Sequence, residues 1–106
     1  MKNIKSYAAL GNHKISGAPK IEIFAEKEMK RMHAIMKGLK IINKSKIALH
    51  FNDFASNYFK DGMYFFKEKK YIESFEAFII SWSYIDCGLK LRFFAVPKEQ
   101  KEWFTI

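Results

Sequence analysis

The side chains that most often carry catalysis are few in this sequence and stand far apart. No two of the three histidines, His13, His33 and His50, have the i, i+3 or i, i+4 spacing that lets two imidazoles of one helix bind a metal ion. The single cysteine, Cys87, has no histidine near it in sequence and is expected to be a small buried hydrophobe. Nucleotide-binding, zinc-protease and EF-hand motifs do not occur. We therefore predict no enzymatic activity, no metal site and no cofactor.

One carboxylate is of interest because of where it falls on a predicted helix. At 100° per residue, Asp86 lies at about the same angle as Ile79 and Trp82, on the apolar side. A buried carboxylate is unfavourable unless it is paired or hydrogen-bonded. We expect Asp86 to be a buried structural carboxylate, hydrogen-bonded to a Tyr, Ser or Lys of a neighbouring helix. The alternative is a titrating group in a small pocket.

The positive charge is concentrated in the first half of the chain. Residues 1–50 contain eleven Lys or Arg and three acids, whereas residues 51–106 contain eight of each, so the first half accounts for the whole formal net charge of +8. This asymmetry predicts a localised basic face on the first helix. The residues predicted to contact nucleic acid, if the face does so, are Lys27, Lys30, Arg31, Lys37 and Lys44.

The basic face has two interpretations. It is either a solvated lysine-rich surface or a surface that binds RNA or DNA through the phosphates, without sequence specificity. Only one of its cations is an arginine, and no aromatic residue is interleaved with them. Base stacking and bidentate base recognition are therefore not expected.

Hydrophobic periodicity predicts an all-α fold with no strand within residues 20–95. Pro19 suits the first turn of a helix, Ser45 can cap the next helix, and Pro97 disfavours helical geometry just before it. Gly62 is expected to mark a close approach between two helices. The three predicted helices span about 19–43, 46–67 and 71–95.

Short loops between long helices predict an antiparallel up-down-up three-helix bundle in a single domain. Residues 1–18 form an irregular N-terminal segment, residues 19–95 the bundle, and residues 96–106 a tail that packs on it. The sequence shows no signal peptide and no apolar run of about 20 residues, so no membrane segment is expected. We expect a cytoplasmic protein.

The third helix carries a second apolar stripe opposite its core stripe. Because three helices cannot cover both sides, this stripe is expected to be buried by something other than the first two helices. Either the chain ends cover it, through residues such as Tyr7, Leu10, Trp103 and Phe104, or a second copy does. We favour a homodimer with the C-terminal tail at its edge. The stripe consists of Ile80, Tyr84, Cys87, Leu91 and Phe94.

Two five-residue runs resemble an archaeal family known only as domain of unknown function 357. Tyr58–Gly62 is similar to its Tyr-x-x-Asp-Ala element, and Tyr84–Gly88 to its Trp-Leu-Asp-Ala-Gly element. Here Tyr84 stands in place of Trp, Cys87 in place of Ala, and a Lys-Lys turn in place of Gly-Asp. The resemblance implies a three-helix bundle in an archaeal cytoplasmic protein, and it implies no activity.

Two other helical classes are less similar. The segment from Asp53 to Leu89 superficially resembles a tetratricopeptide unit, but its helices exceed 20 residues and no second copy is present. RNases of the HEPN class carry an Arg followed some four to six residues later by His. His33 follows Arg31 too closely, and no His follows Arg92.

We therefore predict a non-enzymatic protein-interaction or scaffolding module whose partner is another protein or a second copy. The alternative is a nucleic-acid-binding accessory protein that uses the basic face of the first helix.

Overall fold

A computed structural model describes residues 17–106, most of which are helical. The predicted all-α class is confirmed. Only residues 17 and 18 of the predicted irregular segment are described, and both belong to the first helix; Tyr7, Leu10 and His13 lie outside the described residues. The elements are α1 (Gly17–Gly38), β1 (Lys40–Ile41), α2 (Lys46–Lys67), α3 (Tyr71–Lys90), β2 (Phe94–Ala95) and a 3-10 helix (Lys98–Trp103).

The predicted ends of the first and third helices are wrong. Helix α1 ends at Gly38 and α3 at Lys90, and the chain beyond each helix forms a two-residue strand. The strands pair antiparallel, Lys40 with Ala95 and Ile41 with Phe94, although no strand was expected in residues 20–95. The backbone amide of Ile42 extends this contact by donating to the carbonyl of Phe93 at 2.9 Å.

Helix α3 ends early because its C-terminus is closed by backbone hydrogen bonds. Arg92 adopts a φ of 61°, and its amide donates to the carbonyl of Leu89 at 3.1 Å. The amide of Phe93 donates to the carbonyl of Gly88 at 2.8 Å. This is the Schellman arrangement, in which a left-handed residue reverses the chain. Glycine usually occupies that position, so the arginine gave no sequence signal.

Helix α2 and the start of α3 lie where the sequence placed them. The Ser45 side chain accepts a hydrogen bond from the amide of Ala48 at 3.3 Å, which confirms the predicted cap. Helix α2 ends in a second Schellman arrangement, centred on Lys69 with a φ of 62°. The tight turn makes α2 and α3 a helical hairpin.

Small residues repeat every seven positions along the contact between α2 and α3. The Ser74 hydroxyl donates to the carbonyl of Gly62 at 2.8 Å, and the Ser81 hydroxyl donates to the carbonyl of Ala55 at 2.6 Å. The same antiparallel register places Ala48 opposite Gly88. A side-chain hydroxyl reaches the backbone of the neighbouring helix only where two helices approach closely. We call this contact the seam; its residues, all buried, are Ala48, Ala55, Gly62, Ser74, Ser81 and Gly88.

Gly62 lies at the point of close approach that the sequence predicted. A Cβ atom at this position would lie 2.5 Å from Cε1 of Phe78, closer than two carbon atoms can pack. Phe78 is itself fully buried. The seam therefore needs glycine here, even though glycine lowers helix propensity by about 1 kcal/mol relative to alanine.

Helix α1 packs mainly on α3, and the C-terminal segment packs beside it. Trp82 Nε1 donates to the carbonyl of Trp103 at 3.0 Å, and the Trp82 ring stacks parallel to Phe104 at 5.9 Å between ring centroids. The Gln100 side-chain amide donates to the carbonyl of Ala34 at 3.2 Å. The buried core of this assembly comprises Met32, Ile35, Ala55, Phe78, Ile85, Phe94 and Phe104.

The N-terminal half of α1 reaches the first residue of α3. Partial burial, together with the charge and hydrogen bond of the Glu22 carboxylate, raises the pKa of Tyr71. None of the helices in the described part of the chain is both long enough and apolar enough to cross a membrane.

Candidate functional site

The side of the α2–α3 hairpin that α1 and the tail leave open carries an aromatic stack. Its centre is Tyr84, whose ring stacks on Phe54 at 5.2 Å and on Tyr58 at 6.2 Å between centroids. The ring of Phe51 meets Tyr84 edge-on at 5.6 Å. We call this side the outer face and define it by Ile47, Phe54, Tyr58, Ile80, Tyr84, Cys87 and Leu91.

Large apolar side chains on the outer face remain in contact with solvent. The exposed fractions are 56% for Ile47, 46% for Phe54, 40% for Ile80 and 54% for Leu91. Cys87 is also exposed, so the prediction that it is buried is wrong for the isolated chain. Scattered exposed hydrophobic residues are ordinary, whereas a group of them around an aromatic stack is typical of an interaction surface.

The structure changes the predicted second stripe of α3 in two respects. Tyr84 packs against α2, although the stripe was expected to be covered by something other than the first two helices. Phe94 lies beyond the end of α3, in β2, and its ring packs against Gly88 in the core with 2% exposure. Ile80, Cys87 and Leu91 are the members that remain open.

The C-terminal tail does not cover the outer face within the described residues. Phe104 is buried against Trp82, and Thr105 bonds to Asp86. On α3, Ile80 and Trp82 are two residues apart and therefore point in directions about 200° apart. The tail thus occupies another side of α3, so the alternative in which Trp103 and Phe104 cover the stripe is wrong.

Asp86 is 6% exposed and joins the tail to α3. One carboxylate oxygen accepts a hydrogen bond from the amide of Thr105 at 2.9 Å, and the other accepts one from its hydroxyl at 2.7 Å. Lys90, one turn further along α3, lies 3.3 Å from the same carboxylate. The expected partner on a neighbouring helix is wrong, because the tail and the helix of Asp86 itself supply the donors.

These donors also set the acidity of Asp86. Burial alone would raise its pKa, but the hydrogen bonds from Thr105 and the charge of Lys90 together hold the pKa below its usual value. The group is therefore ionised at neutral pH. The Asp86 carboxylate has a structural role, because it links the tail, through Thr105, to α3, through Lys90.

The predicted basic residues lie on two different elements. Lys27, Lys30, Arg31 and Lys37 lie on α1, but Lys44 lies in the loop after β1 because α1 ends at Gly38. Lys30 pairs with Glu26 at 3.3 Å, both largely exposed. Arg31 pairs with Glu28 at 3.3 Å, and the Glu28 side chain is only 10% exposed. These acids reduce the positive potential of the basic face.

The tail places an aromatic side chain beside the basic residues, which the sequence did not predict. Trp103 joins Lys27, Lys30 and Arg31 in lining a shallow, open cleft of about 340 Å³. The Trp82 hydrogen bond to its carbonyl fixes the backbone of Trp103 there. The sequence of α1 alone gave no sign of this neighbour, because Trp103 comes from the Trp-Phe pair at positions 103 and 104.

The histidines show no arrangement for chemistry in the described part of the chain. His33 and His50 are exposed and lie on different helices, and the His33 ring packs 6.3 Å from that of Phe59. Across residues 17–106, no group of three or more His, Cys, Asp or Glu residues is placed to hold a metal ion.

A comparison with protein families gives one match over most of the chain. The family model described as "Protein of unknown function (DUF357)" matches residues 25–94, which include most of α1, the whole hairpin and the start of β2. No curated protein and no solved structure gives a significant match.

Proposed function

The chain belongs to the DUF357 family of proteins of unknown function, and from this premise we propose that it is a protein-interaction module that docks a partner on its outer face. The observation that carries the proposal is the group of exposed apolar side chains around the Tyr84 stack: Ile47, Phe54, Ile80 and Leu91. The proposal assigns the chain a binding role and no catalytic step.

Burial of the exposed apolar side chains of the outer face would stabilise a complex. Each Å² of apolar surface removed from water stabilises a complex by about 25 cal/mol, so a partner that covers four large side chains gains several kcal/mol. The rings of Phe54, Tyr58 and Tyr84 are held by one another and by their helices. A rigid aromatic surface loses little conformational freedom on binding, which favours a docking surface over a merely solvated one.

We also infer an up-down-up order for the three helices and a cytoplasmic location. The Glu22 carboxylate near the start of α1 lies close enough to Tyr71, at the start of α3, to raise the pKa of Tyr71. The carbonyl of Ala34 near the end of α1 accepts a hydrogen bond from Gln100 beyond the end of α3. These two contacts support parallel α1 and α3, with α2 antiparallel to both. A single cysteine, with no partner for an intramolecular disulfide, favours the cytoplasm.

An affinity-capture experiment with matched variants tests the interaction proposal. The wild-type chain is compared with Ile80→Glu, which places a charge on the outer face, and with Ile23→Glu, at a 61%-exposed position on α1. We expect proteins captured from the native cells to be lost with Ile80→Glu and retained with Ile23→Glu, before and after nuclease treatment. Capture that is unaffected by Ile80→Glu would contradict the proposal.

Binding of single-stranded nucleic acid is the second candidate function, and the position of Trp103 favours it. The indole of Trp103 could stack on a base while Lys27 and Lys30 contact phosphates, an arrangement common in sequence-tolerant binders. Lys37 and Lys44 would extend the contact along the sugar-phosphate backbone of the nucleic acid.

Gel shifts at low salt test this second candidate. Binding should weaken steeply as salt rises, with a log–log slope of about −0.7 per phosphate neutralised for single strands. Trp103→Ala and the pair Lys30→Glu, Lys37→Glu should each lower affinity for all sequences alike. If the wild-type chain gives no shift at about 50 mM salt, the nucleic-acid function is wrong.

A further inference from the structure

We infer that the outer face docks on the outer face of a second copy, in an antiparallel arrangement with a two-fold axis near Phe54 and Ile80. This inference rests on the proposed interaction function and names its partner. The two hairpins would then form a four-helix arrangement whose centre is the Tyr84 stack of each copy. The distribution of charge along the hairpin supports this arrangement.

Acidic residues lie at the end of the outer face next to the hairpin turn. Asp61 follows Phe54 by seven residues, and Glu73 precedes Ile80 by seven, so each acid continues an apolar row of the face. Both acids are exposed. Lys60 and Lys67 of the same region fall on the other side of α2 at 100° per residue. Lys69 and Lys70 are exposed in the turn itself, beyond the last acid of either row.

Basic residues lie at the opposite end of the same hairpin. Lys44 and Lys46 lie at the start of α2, and Arg92 follows the end of α3. All three are exposed, and none of them belongs to an ion pair among the described residues. The apolar rows of the face therefore end in acids next to the turn, and basic residues that are unpaired within the described part of the chain lie at the opposite end of the hairpin.

This order makes the face complementary to itself in one orientation only. When two copies meet antiparallel, the acidic end of each copy lies against the basic end of the other, and the apolar middles coincide. A parallel arrangement would bring acid against acid and base against base. The charge order therefore favours the antiparallel two-fold dimer over the parallel one, and two-fold dimers are the commonest closed assembly among soluble proteins.

The size of the face is sufficient for a stable interface. Two helices of about 20 residues are about 30 Å long and together about 20 Å wide, so a face-to-face contact covers roughly 600 Å² of each copy. A specific interface is expected to exceed about 500 Å² on each partner.

The first part of the test is the molar mass of the full chain in solution. Light scattering at high micromolar concentration should give twice the 12.5 kDa chain mass for the wild type and for Ile23→Glu. Ile80→Glu should raise the dimer dissociation constant at least about 100-fold and give single chains. A wild-type chain that is single under these conditions overturns the inference.

The second part reverses charges at the two ends of the face. One variant carries Asp61→Lys and Glu73→Lys, a second carries Lys46→Glu and Arg92→Glu, and a third carries all four changes. The first two should each raise the dissociation constant about tenfold or more, because like charges then meet. The third should recover dimerisation, since the ends are again complementary when antiparallel.

The results separate this inference from the proposed function. If the fourfold variant stays as weak as the two partial variants, the antiparallel arrangement is wrong. If the wild-type chain is single while Ile80→Glu still loses captured proteins, the second copy is wrong as the partner and the docking function remains.

Discussion

The α2–α3 hairpin has two sides built from the same two helices but with opposite chemistry. Along the seam, small residues bring the helices close enough for Ser74 and Ser81 to bond to the backbone of α2. On the outer face, large rings such as Phe54 and Tyr84 stack on one another and stay partly in solvent. Apolar periodicity therefore marks both the packed contact between the helices and their open face, and side-chain size distinguishes the two here.

Deleting a phenylalanine on each side should give the largest contrast. Phe78 is fully buried next to the seam, so Phe78→Ala should lower the free energy of unfolding by about 3–5 kcal/mol through lost burial and a cavity. Phe54 is 46% exposed, and Phe54→Ala should lower it by about 1 kcal/mol. Urea unfolding at low micromolar concentration measures both. Equal losses would mean that the outer face is part of the core.

The stability gained from packing of the tail on α3 should depend on Asp86. Asp86→Ala removes the carboxylate that accepts hydrogen bonds from the amide and the hydroxyl of Thr105, and we expect the free energy of unfolding at pH 7 to fall by about 1–3 kcal/mol. Thr105→Val keeps the backbone amide donor and should lower the free energy of unfolding by less than Asp86→Ala does. Urea unfolding measures both changes.

The pH dependence of that loss follows from the lowered pKa of Asp86. A carboxylate with a lower pKa in the folded state stabilises the fold above its unfolded pKa of about 3.9 and stops doing so as the pH falls through the folded value. The stability difference between wild type and Asp86→Ala should therefore shrink below about pH 4. A stability difference between wild type and Asp86→Ala that grows as the pH falls would contradict a stabilising role for the ionised carboxylate.

Filling the seam should be unfavourable even though it improves helix propensity. Gly62→Ala gains up to about 1 kcal/mol of propensity but forces the new methyl group against the Phe78 ring, so a net loss of about 1–2 kcal/mol is expected. In a Phe78→Leu background the obstruction is smaller, and Gly62→Ala should become neutral or stabilising. Full additivity of the two changes would disprove the contact.

Removing a seam hydroxyl should have the smallest effect on stability. Ser81→Ala deletes the 2.6 Å hydrogen bond to the Ala55 carbonyl, and about 0.5–1.5 kcal/mol should be lost. Ser83→Ala is the matched control, because the hydroxyl of Ser83 is exposed and donates only to Ile79 of its own helix. Similar losses for the two serines would show that the seam bond adds no specific stability.

Sequence periodicity predicted the helices well where capping residues and hydrophobic spacing define their ends. The Ser45 cap and the hydrophobic period correctly indicated α2 and the start of α3, and Gly62 correctly indicated a close approach. The ends of α1 and α3 were missed because Arg92 occupies a left-handed position that glycine usually fills, and because two-residue strands have no period to detect. Pairing between residues 40–41 and 94–95 depends on tertiary contact.

The candidate sites were also predictable only in part, because they too depend on contacts between residues that are distant in sequence. The angle of Asp86 on its helix indicated an apolar side, but its partner Thr105 is 19 residues away and reaches it through the folded tail. Trp103 joins the basic residues of α1 from the other end of the chain. Helical angles likewise could not show that Tyr84 packs on α2, since they give the direction of a side chain and not its neighbour.

Coverage of the outer face by a second copy can be measured through the reactivity of Cys87. This residue is the only cysteine of the chain and is exposed on the outer face of a single copy. Its modification by a thiol reagent should slow markedly as protein concentration rises from low to high micromolar, and the slowing should vanish in Ile80→Glu. A rate that is the same at every concentration would contradict the account.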